Sequence, residues 1–340
     1  MKKFIQYDLA IGFWNIDGLH YRVNGKRYCK TDDEDVISSL KNVDLICLAE
    51  THCSKVDDLV LENFLYYQNI RQKSKGAKKH SGGLAFLIKK SIKPGICLLP
   101  VSNSEFMWMK LSKQYFNFVR DLYISVVYVC PKNSSFAKKS DDIFELLEND
   151  ICKFSKDGDI LLTGDFNART NTTPDYCTND DIGEFIDLPV DYQQDVPLIR
   201  FNSDNNPVDF NGDKLLNLCK NTGLRLINGR FLGDVSGHFT CYNYIGKPSV
   251  IDYMVASPSI LNSINTFHIG NPNEHSIHST LSLRLKIHSL TTPVEDNNTL
   301  TPIRKYKWKC GDSIKYLQSL LKPDINEQLK SPLRGKHYPR

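Results

Sequence analysis

The chain has 340 residues, 41% hydrophobic and 24% charged, and its 43 Lys and Arg against 39 Asp and Glu leave a net charge of +4. This is globular composition, at a length that buries roughly three-quarters of the unfolded surface, so disulfide staples are unnecessary. No stretch approaches the roughly 20 apolar residues of a membrane span, and Asp8 interrupts the first apolar run, so membrane insertion and conventional secretion are not expected.

Short apolar runs bounded by turn residues predict strands. In chain order the first elements are LAIGFW (9–14), a weak helical segment EDVISSLK (34–41), DLICLA (44–49), a second weak helix VDDLVLENF (56–64), GLAFLI (83–88), FMWMKL (106–111) and LYISVVYV (122–129). Ser140 is placed to cap a helix through DDIFELLENDICKF, with Ile143, Leu146, Leu147, Ile151 and Phe154 on one face. The strand DILLTG (159–164) follows, then a polar stretch, 168–210, without periodicity, which reads as a functional surface loop or as disorder. Asn211 opens a helix through GDKLLNLCKNT, with Leu215, Leu218 and Cys219 inward and Gly223 as its stop. VIDYMVA (250–256) and LSLRLKI (281–287) complete the set. Many strands with few intervening helices predict an α/β sandwich rather than an alternating doubly wound sheet. Residues 1–287 form the expected domain.

Residues 288–303 read as a linker, and 304–340 as a basic tail, partly helical or disordered. From 301 to the end, ten basic residues face three acidic ones, a charge of +7 that leaves −3 for the rest. A polyanionic partner is one reading of that asymmetry, and a solvated tail is the other. A second basic cluster, Arg71, Lys73, Lys75, Lys78, Lys79 and His80, precedes Ser81-Gly82-Gly83. Lys75, Lys78 and Lys79 are candidate phosphate contacts. The ten cysteines include no CxxC pair and read as reduced, mostly packing residues of an intracellular protein.

Chemistry gathers at strand ends. In Gly164-Asp165-Phe166-Asn167, acid and amide project to the same side of an extended segment, beside a glycine that would let a ligand or metal approach the backbone. Asn15 follows LAIGFW, Glu50 follows DLICLA, Tyr128 ends LYISVVYV, and His278 precedes LSLRL. Asp252 lies inside an apolar strand, where a carboxylate needs a histidine or arginine partner. Together these residues supply what phosphodiester hydrolysis requires: oxygen ligands for a hard divalent ion, an acid to orient water, donors for phosphoryl oxygens, and an Asp-His pair.

The ordered motifs NIDGL (15–19), LAETH (48–52), SGGLAFLI (81–88), VVYVCP (126–131), LLTGDFNART (161–170), GHFTCYNYIGKPSVIDYMVAS (237–257) and HSIHSTLSLRL (275–285) carry a resemblance. The chain resembles the endonuclease/exonuclease/phosphatase superfamily over roughly residues 9–287, and within it the endonuclease domain of a non-LTR (LINE-type) retrotransposon. The tail is similar to the segment that follows such domains.

The resemblance implies a four-layer α/β sandwich, two packed mixed β-sheets flanked by helices. It implies Glu50 as the Mg²⁺ ligand, with Asn15 close to the metal and Mn²⁺ as an alternative ion. Asp165 would orient water, Asn167 and Tyr128 would contact the scissile phosphate, Asp252 would hold His278, and Thr240 would lie near the nucleic-acid groove. The implied partner is DNA, with a reverse transcriptase domain and element RNA in a full-length relative, and the implied site of action is the nucleus.

Two departures bear on activity. Ile277 stands where the family motif Ser-Asp-His has its acid, which removes one negative charge near the metal and histidine. Cys130 stands where many relatives have proline. The competing readings are a catalytically degenerate DNA-binding copy, motivated by Ile277, and a phosphatase of the same fold.

Overall fold

Runs of Val, Ile, Leu and aromatic residues buried on both faces need cover on both sides, and here they build two packed sheets. The computed structural model describes residues 4–40, 42–54, 61–73, 76, 80–101, 103–131, 134, 142–177, 195–243 and 246–290. The chain divides into two units, Met1–Thr292 and Pro293–Arg340. The second unit, and with it the basic tail, lies outside the described residues, as do Lys75, Lys78, Lys79 and Ser140.

The elements are β1 (Phe4–Asn15), β2 (His20–Val23), β3 (Lys26–Cys29), α1 (Glu34–Leu40), β4 (Leu45–Ala49), β5 (Phe64–Asn69), β6 (Leu84–Lys89), β7 (Ile96–Leu98) and β8 (Phe106–Leu111). Then follow α2 (Lys113–Phe116), β9 (Asp121–Tyr128), α3 (Ile143–Phe154), β10 (Gly158–Asp165), α4 (Phe210–Thr222), β11 (Arg225–Leu226), β12 (Asp252–Ala256), α5 (Pro258–Leu261), β13 (Ile264–Ile269) and β14 (Leu281–Leu290). One six-stranded sheet runs β13-β14-β1-β4-β6-β5, the other β11-β12-β10-β9-β8-β7, and β2-β3 is a separate hairpin. Both sheets are mixed, with β1 parallel to β4 and β9 parallel to β10.

Three cores follow from the layering. Leu9, Ile11, Phe13, Phe86, Met109, Ile124, Met254 and Leu283 pack between the sheets. Trp108, Leu162, Tyr253, Leu147, Ile151 and Leu215 join the second sheet to α3 and α4, and Trp14, Ile46, Leu87, Val36 and Leu40 join the first sheet to α1. The protein is therefore the expected four-layer α/β sandwich. Among the described residues no helix is long and apolar enough to cross a membrane, and no cysteine forms a disulfide.

Several expectations are corrected. The caps are Asp142, which accepts from the Phe144 N–H, and Asp209, which accepts from the Gly212 N–H at 2.8 Å. Asn211, expected as a cap, instead donates to the Asn167 carbonyl at 3.0 Å. The helix expected over 56–64 falls largely outside the described residues, and Phe64 already belongs to β5. Within the polar stretch after β10, residues 168–177 and 195–209 are anchored rather than loose: the buried Asp175 carboxylate accepts from Nη1 and Nη2 of Arg230, each at 2.7 Å. Gly164 also has a different role from the expected one. A Cβ there would lie 2.2 Å from the Val127 carbonyl oxygen, so the glycine admits the neighbouring strand's backbone rather than a ligand. Gly164→Ala should therefore cost about 2–3 kcal/mol, read as a lower urea midpoint at unchanged slope. An unchanged midpoint would mean that the β9–β10 pairing has room to spread.

Candidate active site

Strand direction explains why the candidate residues meet. β1, β4, β9 and β10 deliver their C-terminal ends, carrying Asn15, Glu50, Tyr128 and Asp165, to one rim. β12 and β14 run antiparallel to their neighbours, so their N-terminal ends bring Asp252 and His278 to the same rim. Asp165 and Asp252 are direct cross-strand partners. The Trp14 indole donates to the His278 carbonyl at 3.0 Å, and the Ser276 hydroxyl to the Asn15 carbonyl at 2.7 Å, which ties the loop before β14 to the end of β1.

Asn15 joins the two sheets' carboxylates. Its Nδ2 donates to Glu50 Oε1 and to Asp165 Oδ2, both at 2.9 Å, while its Oδ1 accepts the Asp17 N–H. It therefore links Glu50 to Asp165, with its side-chain oxygen turned to the Asp17 N–H. Glu50 sits at φ +53 and accepts from His52 Nε2 at 3.0 Å. Strained backbone at a site residue persists only where the surroundings over-determine it, and here the Glu50 carbonyl is held by the Gly18 N–H at 2.7 Å. Burial opposes charge on Glu50, but hydrogen bonds from His52 and Asn15 hold its carboxyl below the usual range.

Asp165 has the reverse balance. It is buried, and that burial, with the neighbouring charges of Asp252 and Glu50, pushes its pKa up to about 8 against the opposing pull of His278. His278 Nδ1 lies 2.9 Å from Asp252 Oδ2 and its Nε2 lies 4.0 Å from Asp165 Oδ2. Burial works against the imidazolium, yet the Asp252 charge and hydrogen bond win and raise His278 to about 12. Tyr128 is buried at the same rim, and desolvation with the nearby Glu50 and Asp165 charges raises its pKa, so its phenol stays protonated.

Asn167 and Thr240 support the two aspartates. Asn167 Nδ2 is committed to the Val129 carbonyl at 2.8 Å and to Asp165 at 3.3 Å, so in this arrangement it orients Asp165. Thr240 is 0% exposed, and its hydroxyl accepts the N–H groups of Ile251 and Asp252, both at 3.1 Å. Thr240 thus seats Asp252 from behind. Glu274 is exposed and the His275 ring lies 3.7 Å from Asp33, so neither neighbour stands in for the acid that Ile277 replaces.

Three further contributors were not read from the sequence. Lys30 is 5% exposed and its ammonium donates to the carbonyls of Ile16, Asp17 and His275, clamping the two loops that carry Asn15 and His278. The buried pair Arg71–Glu105 supports Tyr128, whose ring lies 4.9 Å from the guanidinium carbon, and Cys130 donates to Glu105 at 3.4 Å. His52 stood in view within LAETH, but only the fold shows its contact with Glu50.

Asp165, Asp252 and His278 bring ligand atoms within 4.8 Å of one another, a grouping able to hold a metal ion. The residues fit a hard divalent cation best on the Glu50 side. Glu50 and Asp165 offer carboxylate oxygens held apart by one amide, and the Glu50 side chain remains 20% exposed. Asp252 is fully enclosed, with both its oxygens against His278 Nδ1.

A family model described as the Endonuclease/Exonuclease/phosphatase family matches residues 12–263. No curated protein matches the chain. Among solved structures the chain is similar to a 3′-5′ exonuclease from Neisseria meningitidis, with 14% identity and a TM-score of 0.53 over 82% of this chain and 99% of that one. It is similar to an AP endonuclease from Leishmania major at 12% identity and a TM-score of 0.56, covering 82% and 88% of the two chains. The endonuclease domain of TRAS1, a telomere-specific non-LTR retrotransposon, aligns at 10% identity and a TM-score of 0.50, covering 82% and 98%. At these identities the likeness is one of fold.

Proposed function

The chain belongs to the Endonuclease/Exonuclease/phosphatase family, and on that premise we propose that it is a Mg²⁺-dependent DNA endonuclease of the non-LTR retrotransposon kind. The observation that carries this reading is the hydrogen-bonded chain from Glu50 through Asn15 to Asp165, ending beside the His278–Asp252 pair. In this reading the enzyme nicks one strand and leaves a 3′-hydroxyl that primes reverse transcription, with the reverse transcriptase and element RNA as partners and the nucleus as the site of action.

The site's own groups divide the work. Asp165, fixed by the Asn15 amide and the Asn167 N–H, orients the attacking water and takes its proton. His278, kept positive by Asp252, faces the phosphoryl oxygens through Nε2 and stabilises charge that grows in the transition state. Tyr128 supplies a neutral phenol donor at the same rim. Glu50 and Asp165 would hold Mg²⁺, which when bound neutralises the phosphoryl oxygens.

Ile277 gives the degenerate-copy reading its footing, because the site has one carboxylate fewer than the motif implies. Ile277→Asp should raise nicking at limiting Mg²⁺ about tenfold, equivalent to about 1.4 kcal/mol of transition-state stabilisation. Supercoiled plasmid treated with the native chain and then with a DNA polymerase and labelled nucleotide tests the function. Label incorporated at the nick without prior end processing supports the reading. Nicks that need phosphatase treatment first, or nicking confined to Ile277→Asp, contradict it for the native protein.

A further inference from the structure

Outside the rim that carries Glu50 and His278 lies a second polar cleft of about 650 Å³. Its walls include His20, Arg22 and Arg27 of the β2–β3 hairpin, His52 beside β4, and His80, with Asp17 as the acidic residue among them. The cleft adjoins the candidate site, because two of its lining residues contact Glu50: His52 at 3.0 Å, and Gly18, whose N–H donates to the Glu50 carbonyl.

Arg22 and Arg27 are directly opposite in the hairpin register, so both guanidinium groups leave the same face. Like charges placed opposite each other disfavour a strand pair, and an isolated two-stranded hairpin is marginal to begin with. The hairpin's fold has other supports: Tyr21 and Tyr28 stack across the opposite face with ring centres 5.7 Å apart, and Lys30 anchors the chain just after β3. Arg22 also donates to the Gly25 carbonyl at 3.4 Å within the hairpin, yet two exposed guanidinium groups side by side concentrate positive charge that an anion would offset. His20 Nδ1 lies 3.1 Å from Arg27 Nη2, an acceptor that orients this guanidinium. On the inner wall two buried polar atoms, Thr51 Oγ1 and His80 Nδ1, have no hydrogen-bond partner among the described residues.

We propose that this cleft binds the phosphodiester backbone of the nucleic-acid strand as it leaves the scissile phosphate on the Glu50 side, with Arg22 and Arg27 each neutralising one phosphate. The proposal rests on the endonuclease reading and adds to it a strand-gripping surface built by the hairpin. Guanidinium groups match phosphate bidentately, which suits Arg at both positions.

The test uses the full chain in EDTA, a short fluorescein-labelled DNA duplex and anisotropy across a salt series. In the Arg22→Ala/Arg27→Ala variant the slope of log affinity against log salt should fall by about 2, with roughly tenfold weaker binding at about 0.1 M salt. The Arg22→Lys/Arg27→Lys variant keeps both charges and should retain the slope. A double alanine variant with the parental slope and affinity overturns the proposal, and so does a double lysine variant as weak as the double alanine. The two readings fail separately. Native protein that shows the arginine-dependent slope yet never nicks with Mg²⁺ refutes the endonuclease and leaves the cleft standing, whereas nicking with an arginine-independent slope refutes the cleft alone.

Discussion

Asp165→Asn should abolish nicking and at the same time raise the melting temperature measured in EDTA. The activity loss follows from removing the base, a contribution of roughly 10²–10⁴ in rate. The stability gain follows from the charge ledger of the rim. Asp165 is buried directly across the strand pair from Asp252 and linked through Asn15 to Glu50, so its negative charge is unwelcome in the metal-free fold. Its folded pKa, about 8, stands above the ordinary carboxylate value of 3.8, so folding favours the protonated form. The penalty for ionisation is absent below about pH 4, grows as pH rises toward 8 and is complete above it. Asparagine removes that penalty, so the gain should be large near pH 8 and vanish near pH 4, with each kcal/mol worth roughly 2–4 °C. A variant that melts lower than its parent at about pH 8 would refute this account of the site's electrostatics.

Asp252→Asn should act in the opposite direction on stability. Asp252 is 0% exposed and its two oxygens lie 2.9 and 3.0 Å from His278 Nδ1. Neutralising it leaves the imidazolium buried without its counter-charge, at a cost of about 3–5 kcal/mol. The sign in pH is fixed by the raised His278 pKa. The pair's stabilisation is fully present below the unfolded value of 6.5 and is lost only as pH rises through about 12, so the defect persists across the whole neutral range. Nicking should fall roughly 10²–10³-fold, because the imidazolium that faces the phosphate is no longer held in charge or orientation. Imidazole NMR resonances make the cause visible: His278 stays protonated between about pH 6 and 9 in the native chain and titrates within that window in Asp252→Asn. A variant with parental melting temperature and an unchanged His278 resonance would sever the pair from both stability and catalysis.

These two aspartates illustrate what was legible in the chain. Asp252 inside an apolar strand demanded a partner, and its partner is His278. Strand-end polar residues spaced through the sequence pointed to one rim because parallel and antiparallel strands can deliver opposite chain ends to the same edge. Apolar runs such as DLICLA announced the buried strands. The outer strands did not announce themselves: β5, FLYYQN, is half-buried along its whole length and β13, INTFHI, carries polar residues on its open side, so neither shows an apolar run. Long-range polar contacts were also hidden. Nothing local predicts that Arg71 pairs with Glu105 beneath Tyr128, that Lys30 bridges two site loops, or that the Thr240 hydroxyl receives the Asp252 N–H. Side-chain choice between direct contact and support was likewise unreadable: Asn15 and Asn167 have the chemistry of ligands, and the fold spends their amides on carboxylates and a carbonyl.

The most direct measurement is conversion of supercoiled plasmid to nicked circles by the native chain with Mg²⁺ and with EDTA, beside Glu50→Ala and His278→Ala. The predicted result is nicking by the native protein only with Mg²⁺, reduced at least about a hundredfold in each variant. Nicking that persists in EDTA or in Glu50→Ala, or a native chain that binds the plasmid without cutting it, would contradict the assignment of this rim as a metal-dependent phosphodiesterase site.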